Sequence, residues 1–197
     1  DEALVDPMCG SGTFLIEAAQ MALDIAPGLG RGFAFERLRN HDRGAWAALR
    51  RAAEQRRKPA RVLPIFGSDL VGEWVRRSRM NLDAAGLADC VRLDRADVLD
   101  RTPPADAGVM VANPPYGVRI GEAEDLLAFY PRLGDALKQR WGGWRCYLFS
   151  ADPELPKRIG LKATRRTPLF NGALECRLFE YRMVAGSNRE RAARAPE

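Results

Sequence analysis

The chain has a single histidine, His41, and four cysteines, Cys9, Cys90, Cys146 and Cys176, which are widely scattered with no Cys-x-x-Cys pair. This scarcity argues against a zinc site, against a disulfide framework, and against catalysis by a Ser-His or Cys-His pair. His41 sits in the charged stretch Arg39-Asn40-His41-Asp42-Arg43, with no serine or cysteine beside it. Long apolar runs are also missing, and none approaches the roughly 20 residues that span a bilayer. The third glycine of a dinucleotide-binding turn is absent: Gly10 and Gly12 are followed by Leu15, which argues against a closely packed pyrophosphate. These absences lead us to expect a protein of the reducing cytoplasm, with no metal and no membrane partner. Asp1 to Asp6 run straight into a motif, so an excised domain is expected.

With 197 residues, 46% of them hydrophobic and 29% charged, one α/β domain fits best. We place it at residues 1–186, followed by a polar Arg/Ala-rich tail or linker at 187–197. The net charge of +5 is unevenly spread. Between Arg31 and Arg61, ten Lys/Arg face three acids, a local excess of +7 that leaves −2 elsewhere. Residues 26–60 therefore read as a basic insertion turned toward a polyanion, or as a solvated basic face.

Ala3-Leu4-Val5 reads as a buried strand, and Phe14, Leu15, Ala18, Ala19 and Ala22 as the inner face of a helix. Within the insertion, residues 45–57 form a basic helix with Trp46 and Leu49 on one face, Trp46 either stacking or seating the helix. Val62–Phe66 resumes the sheet. A helix over 71–85 follows, with Val75, Met80 and Leu82 inward, and then a strand around Val91–Leu93. Val109–Ala112 has the continuous apolar character of a central parallel strand. A helix near 123–140, a strand at Arg145–Phe149 and a short helix near 153–159 come next. Asn171-Gly172 between the strand-like runs Leu161–Phe170 and Ala173–Met183 marks a hairpin. The fold expected is a mostly parallel seven-stranded sheet with a C-terminal antiparallel hairpin and helices on both faces.

Two segments carry chemistry. The turn Asp6-Pro7-Met8-Cys9-Gly10-Ser11-Gly12 ends a strand and opens a helix, which suits a nucleoside ligand such as S-adenosylmethionine, or simply a tight turn. A carboxylate at Asp6 can answer the ammonium or sulfonium side of that molecule. Asp69 and Asp97 close the second and third strands, where carboxylates can take ribose hydroxyls and an adenine amino group, with the Val98 amide sharing the contact. Either can instead cap a helix, and Asp94 and Asp100 compete with Asp97. The second segment, Asn113-Pro114-Pro115-Tyr116, follows the central strand. An amine conjugated to a ring is a poor nucleophile, so a catalyst must hold its N–H groups and aim its lone pair. The Asn113 side-chain oxygen and the Pro114 carbonyl supply two acceptors, the prolines hold the segment extended, and Tyr116 offers a flat face.

These motifs resemble the class I S-adenosylmethionine-dependent amino methyltransferases, a Rossmann-like fold whose members modify adenine-N6, cytosine-N4 or guanine-N2. Ala26-Pro27-Gly28-Leu29, Phe66-Gly67-Ser68-Asp69, Gly142-Gly143-Trp144, Leu148-Phe149-Ser150 and Phe170-Asn171-Gly172 extend the likeness to the guanine-N2 methyltransferase domain of bacterial 23S ribosomal RNA enzymes of RlmL type. The resemblance implies 23S rRNA or its precursor particle as partner. It also implies an RNA-binding THUMP domain upstream, outside this chain, and often a second methyltransferase fused downstream. The same tetrad can serve adenine-N6 or a glutamine amide, and a non-catalytic RNA-binding module could keep the same fold.

Overall fold

The computed structural model describes residues 2–115 and 123–184, the side chains of 123–126 excepted; Tyr116 and the 187–197 tail lie outside the described residues. Five strands run parallel: β1 (Ala3–Asp6), β2 (Ile65–Asp69), β3 (Arg92–Arg95), β4 (Gly108–Ala112) and β5 (Trp144–Ser150). The last two, β6 (Arg165–Asn171) and β7 (Leu174–Arg182), form the hairpin, and β7 lies antiparallel to both β5 and β6. The spatial order is β3-β2-β1-β4-β5-β7-β6. The order therefore reverses between β1 and β4, and ligands of open α/β sheets bind outside the strand ends at such a point.

Alternation along the strands feeds two cores. On one face Leu15, Ala19 and Leu23, from α1 (Thr13–Ala22) and its C-terminus, pack with Ile65 and with Leu82 of α3 (Gly72–Ala84). On the other, Val5, Met110, Ala112 and Phe179 meet Tyr130, Leu133 and Leu137 of α4 (Ala123–Arg140) and Leu155 of α5 (Leu155–Arg158). Fully burying each such Val, Leu, Ile, Met or Phe side chain contributes about 1.5–3 kcal/mol. Trp141 and Trp144, both buried, meet edge to face at 5.0 Å and close the second core below β4 and β5.

Three local expectations are corrected. β2 starts at Ile65, not Val62: Pro64 has no N–H for a ladder, and Val62 is exposed. On α3 Met80 points outward and Ser78 is buried in its place, which a serine tolerates because its hydroxyl has a partner in the glycine turn. The hairpin's first strand begins at Arg165, and Pro168 inside it is accommodated because β6 is an edge strand.

The insertion holds α2 (Arg43–Arg56). Asp42 caps it by accepting the Ala45 N–H at 2.9 Å. No residue of α2 is fully buried; Trp46 seats it edge-on against Phe33 and Phe35.

Candidate active site

Val5 pairs with Met110 in the sheet, so Asp6, which ends β1, and Asn113, just past β4, open at neighbouring strand mouths. Between and above them lies a cleft of about 450 Å³. Of the residues expected from the sequence, it is lined by Asp6, Met8, Cys9, Gly10, Ser11 and Asn113. Thr13, Phe14, Trp74, Phe149 and Asn171 complete the wall. The two motifs, a hundred residues apart in the chain, thus share one cavity.

The glycine turn is fastened nearly peptide by peptide. Cys9 donates its N–H to the Ser68 carbonyl at 2.9 Å, and Gly12 donates to the Cys9 carbonyl at 2.8 Å. From α3 the Ser78 hydroxyl donates to the Gly10 carbonyl at 2.8 Å, and the Asn81 amide donates to the Ser11 carbonyl at 2.8 Å. Gly12 has φ +86°, and a Cβ there would stand 2.8 Å from the Ser78 Oγ, so only glycine fits. Gly10 has φ +52° and faces open space, with nothing within 4 Å of where a Cβ would be. The turn is preorganised by its surroundings and open on the ligand side.

Asp6 is the electrostatic centre of the cleft. It is 2% exposed, and its Oδ1 accepts the Met8 N–H at 3.2 Å. Burial, the largest influence, pushes its carboxyl up to about 7 from 3.8; the Met8 N–H opposes this and the nearby Asp69 adds to it. Among the described residues no cation is paired with it. Cys9 is also buried, and desolvation raises its thiol to about 11, only partly offset by the Ser78 hydroxyl, so it is a neutral thiol at physiological pH and not a nucleophile.

Asp69 has structural work. One oxygen accepts the Gly10 N–H at 3.1 Å and the other accepts the Val71 N–H at 3.0 Å, joining the glycine turn to the start of α3. Asp97 caps its own turn, accepting the Leu99 N–H at 2.9 Å. Both carboxylates lie outside the lining of the cleft, as do Pro7, Gly12 and Val98, whose side chain belongs to the core. Pro114 is buried, and the Pro115 carbonyl accepts the Tyr130 hydroxyl from α4, which fixes the segment after Asn113.

Sequence reasoning passed over Phe14, Trp74, Ser78, Asn81 and Tyr130. The signal for Ser78 and Asn81 was available, since two polar residues three apart near the inner stripe of a helix point to a buried polar partner. Tyr130 carried no such mark.

The RMKL-like methyltransferase domain family matches residues 1–180. The chain belongs to this family. The ribosomal RNA large subunit methyltransferase K/L of Shewanella baltica is 42% identical over 190 residues, covering 94% of this chain and 27% of that protein. The chain thus spans about a quarter of that relative's length. The crystal structure of SMU.472 complexed with SAH superposes with a TM-score of 0.85 at 32% identity, covering 95% of this chain and 49% of that one. A Listeria monocytogenes protein described as an N6-adenine-specific DNA methylase superposes with a TM-score of 0.81 at 32% identity, covering 93% and 47%. These neighbours share the Rossmann-like methyltransferase fold. No helix among the described residues is long and apolar enough to cross a membrane.

Proposed function

We propose that this domain transfers a methyl group from S-adenosylmethionine to the exocyclic N2 amine of a guanine in 23S ribosomal RNA, in the cytoplasm, as part of a longer protein. One observation carries the reading: Asn113 and the Gly10 turn line the same cleft at the switch point of the sheet. The names of the relatives support ribosomal RNA as the substrate class, and the SAH-bound neighbour supports the cofactor. The sequence resemblance to the RlmL type supports guanine-N2, an upstream THUMP domain and a fused second methyltransferase.

The residues present suit the cofactor. A buried carboxylate with no cation paired to it among the described residues, and the open side of Gly10, are what an ammonium and sulfonium ligand with a compact backbone needs. Asp6 takes the positive end over Pro7 to Gly12. Asp69 steadies Gly10 and still has lone pairs for a ribose hydroxyl, and Asp97 with the Val98 amide takes the adenine side. When bound, S-adenosylmethionine supplies an activated methyl carbon as electrophile.

The chain's own contribution is positioning. The Asn113 side-chain oxygen and the Pro114 carbonyl accept the two N–H groups of the amine, while Tyr116 stacks on the ring. Pro115, held by Tyr130, keeps the clamp rigid. The target base must leave its stack to reach the cleft. The amine proton becomes acidic only as the new bond forms, so water removes it and no strong base is required.

The clamp reads an amine rather than a ring, and the Listeria neighbour's description keeps adenine-N6 as the second reading; a glutamine amide would suit the same clamp. The test has two parts. Thermal shift should report S-adenosylmethionine binding, and labelled methyl groups should pass to 23S rRNA and be recovered as N2-methylguanosine after digestion. Recovery as N6-methyladenosine would give the second reading, and binding without transfer to any RNA would leave only a binding module.

A further inference from the structure

A second cavity, of about 260 Å³, lies in the insertion, between the 26–29 loop and the face of α2 that carries Trp46, Leu49, Arg50, Ala53 and Arg56. It is smaller than the roughly 300–1,000 Å³ of an ordinary ligand pocket, so it suits a flat ring system. Its walls are apolar and aromatic. Phe33 also lines it, edge to face with Trp46 at 5.6 Å, and the Arg31 guanidinium lies over the Phe33 ring at 4.8 Å. The Arg50 guanidinium donates to the Leu29 carbonyl at 3.0 Å, which holds the loop against the helix and keeps the groove formed. Leu49 on its rim is 62% exposed, so α2 does not use this face to build the core.

The surroundings are strongly cationic and poorly neutralised. Two of the three acids between Arg31 and Arg61 are committed to backbone N–H groups, Glu36 to Phe33 and Asp42 to Ala45. Arg37, Arg39, Arg43, Arg51 and Arg57 have no ion-pair partner among the described residues. An aromatic slot within an insertion that carries these unpaired guanidinium groups matches a chain of flat rings linked by phosphates.

We infer that this groove is a second RNA-contact site, which takes one unpaired base while the neighbouring arginines engage the flanking phosphates. The inference rests on RNA as the substrate of the domain. α1 carries ten residues from the glycine turn toward the insertion, a rise of about 15 Å, so the groove holds a nucleotide other than the one being modified. It anchors substrate and takes no part in the chemistry.

Ala53→Phe fills the groove without changing a charge, and the pair Arg51→Gln and Arg57→Gln removes charge without touching the groove. Binding of a fluorescein-labelled single-stranded RNA, and of the same RNA annealed to its complement, is followed by anisotropy at several salt concentrations without methyl donor. A53F should weaken the single strand about tenfold or more and leave the duplex unchanged. The arginine pair should lower the salt slope by about 1.4. In turnover both should raise KM for RNA, with kcat at saturation and S-adenosylmethionine affinity unchanged. If A53F does not fold, Leu49→Gln, at an exposed rim position and likewise without a change of charge, serves in its place. Unchanged single-strand affinity in the groove variant, an equal loss on duplex, or no RNA binding by the parent chain would each overturn the inference. Groove-dependent RNA binding without methyl transfer would instead refute the proposed function and leave the groove site standing.

Discussion

Replacing Asp6 by Asn should make the ligand-free protein more stable and unable to hold its cofactor. The Asp6 carboxyl titrates near 7 when folded against 3.8 unfolded, mainly through burial. A shift of about three units at about 1.4 kcal/mol each sets an upper bound of ~4 kcal/mol. The sign follows from proton uptake. Between about pH 4 and 7 the folded state holds a proton that the unfolded state has released, so stability present at low pH is lost as pH rises through 7. Asn carries no charge and can still accept the Met8 N–H through its oxygen. The advantage of D6N should therefore be near zero at about pH 4, grow through pH 7 and level off at roughly 2–4 kcal/mol. For a chain of this size that is a rise in Tm of about 5–15 °C at pH 8. Thermal melts of both proteins from acid to mild alkali measure it, and added S-adenosylmethionine should shift the parent but not D6N. A Tm difference that is negative, or positive but independent of pH, would refute the reasoning.

Tyr130→Phe removes the hydroxyl that holds the Pro115 carbonyl. Urea unfolding should show a loss of about 1 kcal/mol, while steady-state kinetics should show a clear fall in kcat with KM for S-adenosylmethionine little changed. Gly12→Ala forces a left-handed residue and a Cβ against Ser78, so the same unfolding assay should show a loss of about 2 kcal/mol or more. Adding Ser78→Ala to it should recover only the steric part, because the bond to the Gly10 carbonyl goes with it.

The sheet was legible because its strands are short apolar runs separated by turn signals, and Asn171-Gly172 marked the hairpin between β6 and β7. The two motifs of the cleft were legible because each combines residue types that strand ends and turns alone do not require. What escaped depends on three-dimensional neighbours. The phase of α3 was misjudged at Met80 because hydrophobicity was weighed without the hydroxyl bond that keeps Ser78 inside. The bonds that Asp69 accepts from the Gly10 and Val71 amides were not legible, because no sequence pattern announces a backbone partner 59 residues away. Trp74 and Tyr130 reach the site by the fall of a helix across the sheet, which is a matter of packing.

The central claim is that Asn113 grips the acceptor amine while the neighbouring turn holds the donor independently. Asn113→Ala, assayed in parallel for S-adenosylmethionine binding by calorimetry and for methyl transfer to rRNA, tests it most directly. Binding within about twofold of the parent and transfer reduced to background is the outcome expected from a positioning residue. Retained transfer, or loss of binding together with transfer, would contradict it.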